Sequence, residues 1–134
     1  MILVDTSVWI DFFSSSSSPA SRELQRLILE AEPIALAGVI VLEILQGLKR
    51  DVPHIERYLL QWEMLEPGGF STYREASAIF RLARSKGISL TSIDTFIAVI
   101  AIERGASVFS LDQDFSQIAR ITSLQLYSLP GLAP

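Results

Sequence analysis

MILVDTSVWIDFF, residues 1–13, opens with a short apolar run and breaks at once into residues that start helices. Ile2, Leu3 and Val4 form the continuous branched stretch that a strand buried on both faces requires, with no polar alternation to mark a wet side. Asp5, Thr6 and Ser7 then offer side-chain oxygens to the free N–H groups of a first helical turn, and a helix follows with Val8, Trp9, Ile10, Phe12 and Phe13. A strand that hands over directly to a helix is half of a crossover unit, and it predicts a parallel sheet.

The rest of the chain repeats that grammar. Ser14 to Ser18 is a low-complexity loop closed by Pro19, and Ala20 to Ala31 spaces Leu24, Leu27, Ile28 and Ala31 as an amphipathic helix. Ile34 to Ala37 reads as a second buried strand, followed after Gly38 by an apolar helix from Val39 to Lys49. Helical patterns over Pro53 to Met64 and Ser71 to Ser85 are divided by the turn Pro67-Gly68-Gly69. Ser92 to Arg104 is a helix stopped by Gly105, Ser107 to Leu111 a strand, Asp112 to Arg120 a short helix and Leu124 to Leu129 a last strand. Gly131 to Pro134 reads as a frayed tail. No internal repeat or boundary divides residues 1–134, so one α/β domain is expected, with helices covering both faces of the sheet.

Composition narrows the function. With 134 residues, 49% of them apolar, the chain can bury a core unaided. It has no cysteine, which excludes disulfides, thiolate metal sites and thiol nucleophiles, and the cytoplasm is the expected compartment. The mean hydropathy of +0.37 is high. Yet no stretch approaches the roughly 20 apolar residues of a membrane span, because Glu43 and Gln46 interrupt the richest one. Met1 to Phe13 carries two acids and no basic start, unlike a signal peptide. A net charge of −4 and a pI near 4.9 argue against a broad electrostatic grip on nucleic acid or on an anionic membrane.

The acids are placed with purpose. Asp5 ends the first strand, Glu43 sits inside an apolar helix, Asp94 opens another, and Asp112 ends a strand with Asp114 two residues on. In open parallel sheets the carboxyl ends of strands and the adjoining helix starts border a single crevice, where ligands bind. Each acid also has an ordinary role available: Asp5 and Asp112 as helix caps, and Asp94 in the capping box begun by Thr91. Glu43 fits that reading least, with Val41, Leu42, Ile44 and Leu45 around it. Gathered carboxylates cannot all ionise cheaply unless a cation joins them, and an all-oxygen set suits a hard ion such as Mg²⁺ or Mn²⁺. The single histidine, His54, follows Pro53 in a polar stretch and reads as a surface residue, so zinc and two-histidine chemistry are disfavoured. Without the five acids, eleven bases face ten acids, so the acidity of the chain is largely this group.

These segments resemble the PIN-domain ribonucleases, and specifically the VapC-type toxins of toxin-antitoxin pairs. ILVDTSVWIDFF is similar to the family's start, which places a metal ligand at Asp5 and supporting hydroxyls at Thr6 and Ser7. VIVLEILQGLK resembles the segment of the second acid, Glu43; SIDTFIAVIAIERGASVF that of the third, Asp94; and SLDQDF that of the fourth, Asp112, with Asp114 as accessory ligand. Ser110 stands where the family often has threonine and keeps the hydroxyl, Leu111 replaces a position that is often polar, and Gly38-Val39-Ile40 lacks a hydroxyl common before the second acid.

The resemblance implies a three-layer α/β/α fold around a central, mostly parallel sheet. It implies an endoribonuclease dependent on Mg²⁺ or Mn²⁺ that cuts structured RNA such as tRNA or rRNA, forms a homodimer and is silenced by a cognate antitoxin. Asp5, Glu43, Asp94 and Asp112 would be its catalytic residues. Arg50, Arg84 and Lys86 are candidate phosphate contacts. The rival readings are a phosphoryl-accepting or catalytically silent acidic-pocket module that acts by binding a partner protein. A receiver domain needs a lysine at the end of a late strand, whereas this chain has only Lys49 and Lys86.

Overall fold

The computed structural model describes residues 1–130, and the tail expected at residues 131–134 lies outside them. Strands β1 (Ile2–Val4), β2 (Ile34–Ala37), β3 (Glu63–Leu65), β4 (Ser107–Phe109) and β5 (Gln125–Leu126) form one sheet in the order β3-β2-β1-β4-β5. Every pairing is parallel, with Leu3 opposite Ala35 on one side and Val108 on the other. The helices are α1 (Thr6–Phe13), α2 (Pro19–Leu29), α3 (Gly38–Gly47), α4 (Val52–Leu59), α5 (Phe70–Ser85), α6 (Ser92–Arg104) and α7 (Gln113–Ile121).

The strand order fixes the layers. From β1 the chain steps outward to β2 and then β3, and right-handed crossovers place α1 to α4 on one face. It then returns across the sheet to β4 and steps outward again to β5, which places α5, α6 and α7 on the other. The packing agrees: α1 touches α2 and α3, and α3 touches α4, while α5, α6 and α7 touch one another. The winding reverses between β1 and β4, so their carboxyl ends open a crevice there.

Burial follows the apolar pattern. All four residues of β2 are buried, and α6 is enclosed through Ile97, Ala98, Val99, Ile100 and Ala101. Gly105 ends α6 at φ +67°, and Ala106 N–H donates back to the Ala101 carbonyl over 2.9 Å, which turns the chain straight into β4. On the other face Trp9 is fully buried, with its ring centroid 5.6 Å from that of Phe13 and 5.1 Å from that of Trp62. Tyr58 and Phe12 complete this aromatic cluster, which seals α1 against α4. His54 is exposed, as its polar surroundings predict.

The main departure from the expected elements is β3, which lies inside the stretch expected to be helical from Pro53 to Met64. α4 stops at Leu59, and Glu63 to Leu65 pairs with Ala35 to Ala37 at the sheet edge. Only Leu65 of the three is buried, so the strand carries almost no apolar signal of its own. β4 and β5 are also shorter than expected, ending at Phe109 and Leu126.

Candidate functional site

Asp5 leaves β1 at the crevice, and its backbone N–H continues the β1–β4 ladder by donating to the Phe109 carbonyl over 2.9 Å. It occupies the N-cap position of α1, yet its side chain makes no cap bond. The carboxylate turns inward instead, 5% exposed, where its Oδ2 accepts from Ser7 Oγ at 3.0 Å and from Ser110 Oγ at 2.8 Å. Ser110 Oγ in turn accepts the Asp112 N–H at 2.9 Å, and Ser7 Oγ accepts the Leu111 N–H at 3.0 Å. The exposed Leu111 therefore leaves the local hydrogen bonding intact, because its backbone supplies the donor.

Asp94, Asp112 and Asp114 come together at the starts of α6 and α7. One carboxylate oxygen from each lies within 4.8 Å of the others. Asp112 caps α7 by accepting the Asp114 N–H through Oδ1 at 2.9 Å. Thr91 Oγ1 caps α6 by accepting the Asp94 N–H at 3.1 Å. The reciprocal half of a capping box would have Asp94 accept the Thr91 N–H, but that donor goes to Asp114 Oδ2 at 3.4 Å. Asp94 thus keeps its carboxyl for the cluster.

Glu43 stands apart from these three. It is half-buried on α3, and its Oε1 accepts from Thr6 Oγ1 at 2.8 Å, which ties it to the residue after Asp5. Its apolar sequence neighbours do not enclose it: Ile44 is buried, Leu42 is 60% exposed, and Val41 and Leu45 are half-buried. Thr6, Ser7 and Ser110 all make the contacts of supporting groups.

The electrostatics show a cluster short of positive charge. The Asp94 carboxyl is pushed up to about 7 by burial first, then by its hydrogen bond with Asp114 and the fields of Asp112 and Asp5; the Thr91 hydroxyl offsets part of this. Among the described residues, the ion pairs are those of Arg26 with Glu23 on α2 and with Glu30 at its C-cap. Among the described residues, no lysine or arginine pairs with Asp5, Glu43, Asp94, Asp112 or Asp114. Hard oxygen donors with no internal counter-ion fit a hard divalent cation, and the missing lysine disfavours a phosphoryl-accepting receiver.

The basic candidates lie elsewhere on the surface. Arg84 projects over the Phe80 ring, 5.8 Å from its centroid, and lines a cavity of about 680 Å³ between α5 and the start of α6, beside Tyr73, Arg81 and Ile93. Arg50 lines a separate cavity of about 450 Å³ with Ile10, Phe13 and Lys49. Lys86 is exposed at the end of α5. The α5–α6 cavity and the link from Thr91 to Asp114 have no local sequence signal, since each joins segments distant along the chain.

Comparison with known proteins agrees with this geometry. The PIN domain family model matches residues 2–121. Ribonuclease VapC11 of Mycobacterium tuberculosis is 41% identical over 132 residues, covering 96% of this chain and 98% of the relative, and a VapC ribonuclease of Mycobacterium bovis matches equally. Among solved structures, VapBC2 of Rickettsia felis bound to a promoter DNA fragment aligns with a TM-score of 0.73 at 18% identity, over 95% of this chain and 98% of that one. FitAcB of Neisseria gonorrhoeae aligns at 0.71 and 22%, over 98% and 100%. With its doubly wound parallel sheet, its four acidic segments in order and these relatives, the chain belongs to the PIN domain family, on the branch of the VapC ribonucleases.

Proposed function

We propose that this protein is an endoribonuclease, the toxin of a type II toxin-antitoxin pair, which hydrolyses phosphodiester bonds of structured RNA with Mg²⁺ or Mn²⁺. The observation that carries the reading is the group of Asp94, Asp112 and Asp114 oxygens within 4.8 Å of one another, beside a buried Asp5 and without a cationic partner. Asp94, Asp112 and Asp114 would hold the ion together with Asp5 and Glu43. When bound, the ion supplies a Lewis acid for a phosphodiester oxygen and acidifies an attacking water.

The remaining work falls to the protein. Ser7 and Ser110 hold Asp5 through its Oδ2. Thr6 steadies Glu43. Burial and the neighbouring acids push the Asp94 carboxyl up to about 7, and a bound cation would favour its ionised form. We take residues 1–134 as one PIN domain, a reading supported by the single sheet that β1 to β5 form among the described residues.

The biological role rests on the relatives. VapC11 is a ribonuclease by name, and a solved neighbour from Klebsiella pneumoniae is a toxin-antitoxin complex by its description, which supports a cognate antitoxin as partner; we further propose a homodimer and the cytoplasm as the place of action. No helix among the described residues is long and apolar enough to cross a membrane. Purified protein incubated with total bacterial tRNA and rRNA in Mg²⁺ should yield discrete cleavage products, mapped by sequencing the new RNA ends. Asp5→Asn and Asp94→Asn should yield none while keeping the circular dichroism of the parent. Parent-like cleavage by either variant contradicts the mechanism.

A further inference from the structure

We propose that the cavity between α5 and the start of α6 is a subsite for an unpaired base of the RNA, with Tyr73 as the stacking surface and Arg81 and Arg84 as contacts for the adjoining phosphates. The inference rests on the ribonuclease reading above. The cavity, of about 680 Å³, lies within the roughly 300–1,000 Å³ of small-ligand sites. Its lining has the chemistry of a nucleotide's partners. Tyr73 stacks on Phe96, with ring centroids 5.1 Å apart and planes 18° from parallel, yet it stays 55% exposed. An aromatic ring held flat by a neighbour and still open to water is a surface on which a base stacks. Arg84 lies over the Phe80 ring of the same cavity, and Arg81 Nη1 donates to Ser77 Oγ at 3.3 Å. Among the described residues neither arginine forms an ion pair, and no carboxylate lines the cavity. Two guanidinium groups without a counter-charge, beside stacked aromatic rings, fit an anion that carries a flat ring.

Position gives the cavity its use. Ile93 and Thr95 flank Asp94 in the first turn of α6, and Val39 stands one turn before Glu43 on α3, so the lining borders the acids from two helices. A base seated there belongs to a nucleotide close to the cleaved linkage. Inside a duplex a base shows only its edges, so the occupant comes from a loop, a bulge or an end. A second copy of this chain fits the cavity less well, because a twofold contact would set Arg81 and Arg84 against a face that carries the same two arginines.

A short single-stranded oligoadenylate is the probe. Its Kd is read by fluorescence anisotropy in Mg²⁺ with the full-length protein carrying Asp5→Asn, so that the RNA is not cut. Adding Tyr73→Ala should weaken binding about fivefold to a hundredfold, the range for one base stacked on an aromatic ring, and Tyr73→Phe should restore it to within about threefold. Arg81→Ala and Arg84→Ala should each lower the salt slope of binding by up to about 0.7. A fully paired RNA duplex should bind with and without Tyr73→Ala alike. Melting temperatures and light scattering are recorded for each variant. An unchanged oligoadenylate Kd in Tyr73→Ala overturns the proposal, as does an unchanged slope in both arginine variants. A dimer that dissociates in Tyr73→Ala overturns it by assigning the face to a second copy, and AMP that binds as tightly as the oligonucleotide overturns it by assigning the cavity to a free nucleotide. Absence of affinity for either RNA before Tyr73 is changed removes the ribonuclease reading and this inference with it. Cleavage by Asp5→Asn is a different result, which counts against the metal-site mechanism and not against the subsite.

Discussion

Asp94 and Asp5 are both buried acids, and their surroundings treat them differently. Asp5 receives two hydroxyl donors, whereas Asp94 faces Asp114 and Asp112. Raised from 3.8 to about 7, Asp94 stays protonated in the folded chain while the unfolded chain ionises. Stability of the metal-free protein should therefore fall as pH rises from about 4 to about 7 and level off above that. Urea melts across this range check the slope, and Asp94→Asn should flatten it. Mg²⁺ should raise the melting temperature more at pH 8 than at pH 5, because only the ionised cluster binds it well. Ser110→Ala removes one donor to Asp5 and the acceptor of the Asp112 N–H, so it should cost about 1–3 kcal/mol and lower cleavage about tenfold to a hundredfold, read by melts and kinetics. The acids themselves were legible in the sequence, since each lies at a strand end, a helix start or an apolar helix. The serine links were only partly so: Ser7 to Ser110 spans the chain, and only the fold shows that the two meet at Asp5.

Among the elements, α1 carries both the site and the core. Asp5 precedes its first turn, and Trp9 one turn later fills the space beneath α4. The Trp9 Nε1–H is buried without a hydrogen-bond partner, so the ring contributes through its apolar area and its edge contacts with neighbouring aromatics. Trp9→Ala should cost about 3–5 kcal/mol, whereas Trp9→Phe keeps the ring, removes the unpaired donor and should cost well under half of that, both measured by urea denaturation. The buried strands β1 and β2 were readable as apolar runs, and α6 was readable to its end residues because Thr91 and Gly105 punctuate it. β3 was not readable. Glu63 and Met64 are exposed and suit a helix, and the strand exists because the edge of β2 offers it a ladder, a condition no local window contains.

As a whole molecule the protein is acidic yet is proposed to bind a polyanion. The net charge of −4 is concentrated in five crevice acids, and the remainder of the chain is nearly balanced. Arg84 and Lys86, at the end of α5, are the proposed phosphate contacts, and their reversal to glutamate should reduce the dependence of RNA affinity on salt. An unchanged slope removes them from the RNA interface. The doubly wound topology makes the rest of the pattern coherent, since the reversal between β1 and β4 is what brings residue 5 to residues 94 and 112. RNA cleavage by the purified protein should stop in excess EDTA and return when Mg²⁺ or Mn²⁺ is added beyond the chelator, with Asp94→Asn silent under both conditions. Undiminished cleavage in EDTA would show that the gathered carboxylates do their work without an ion.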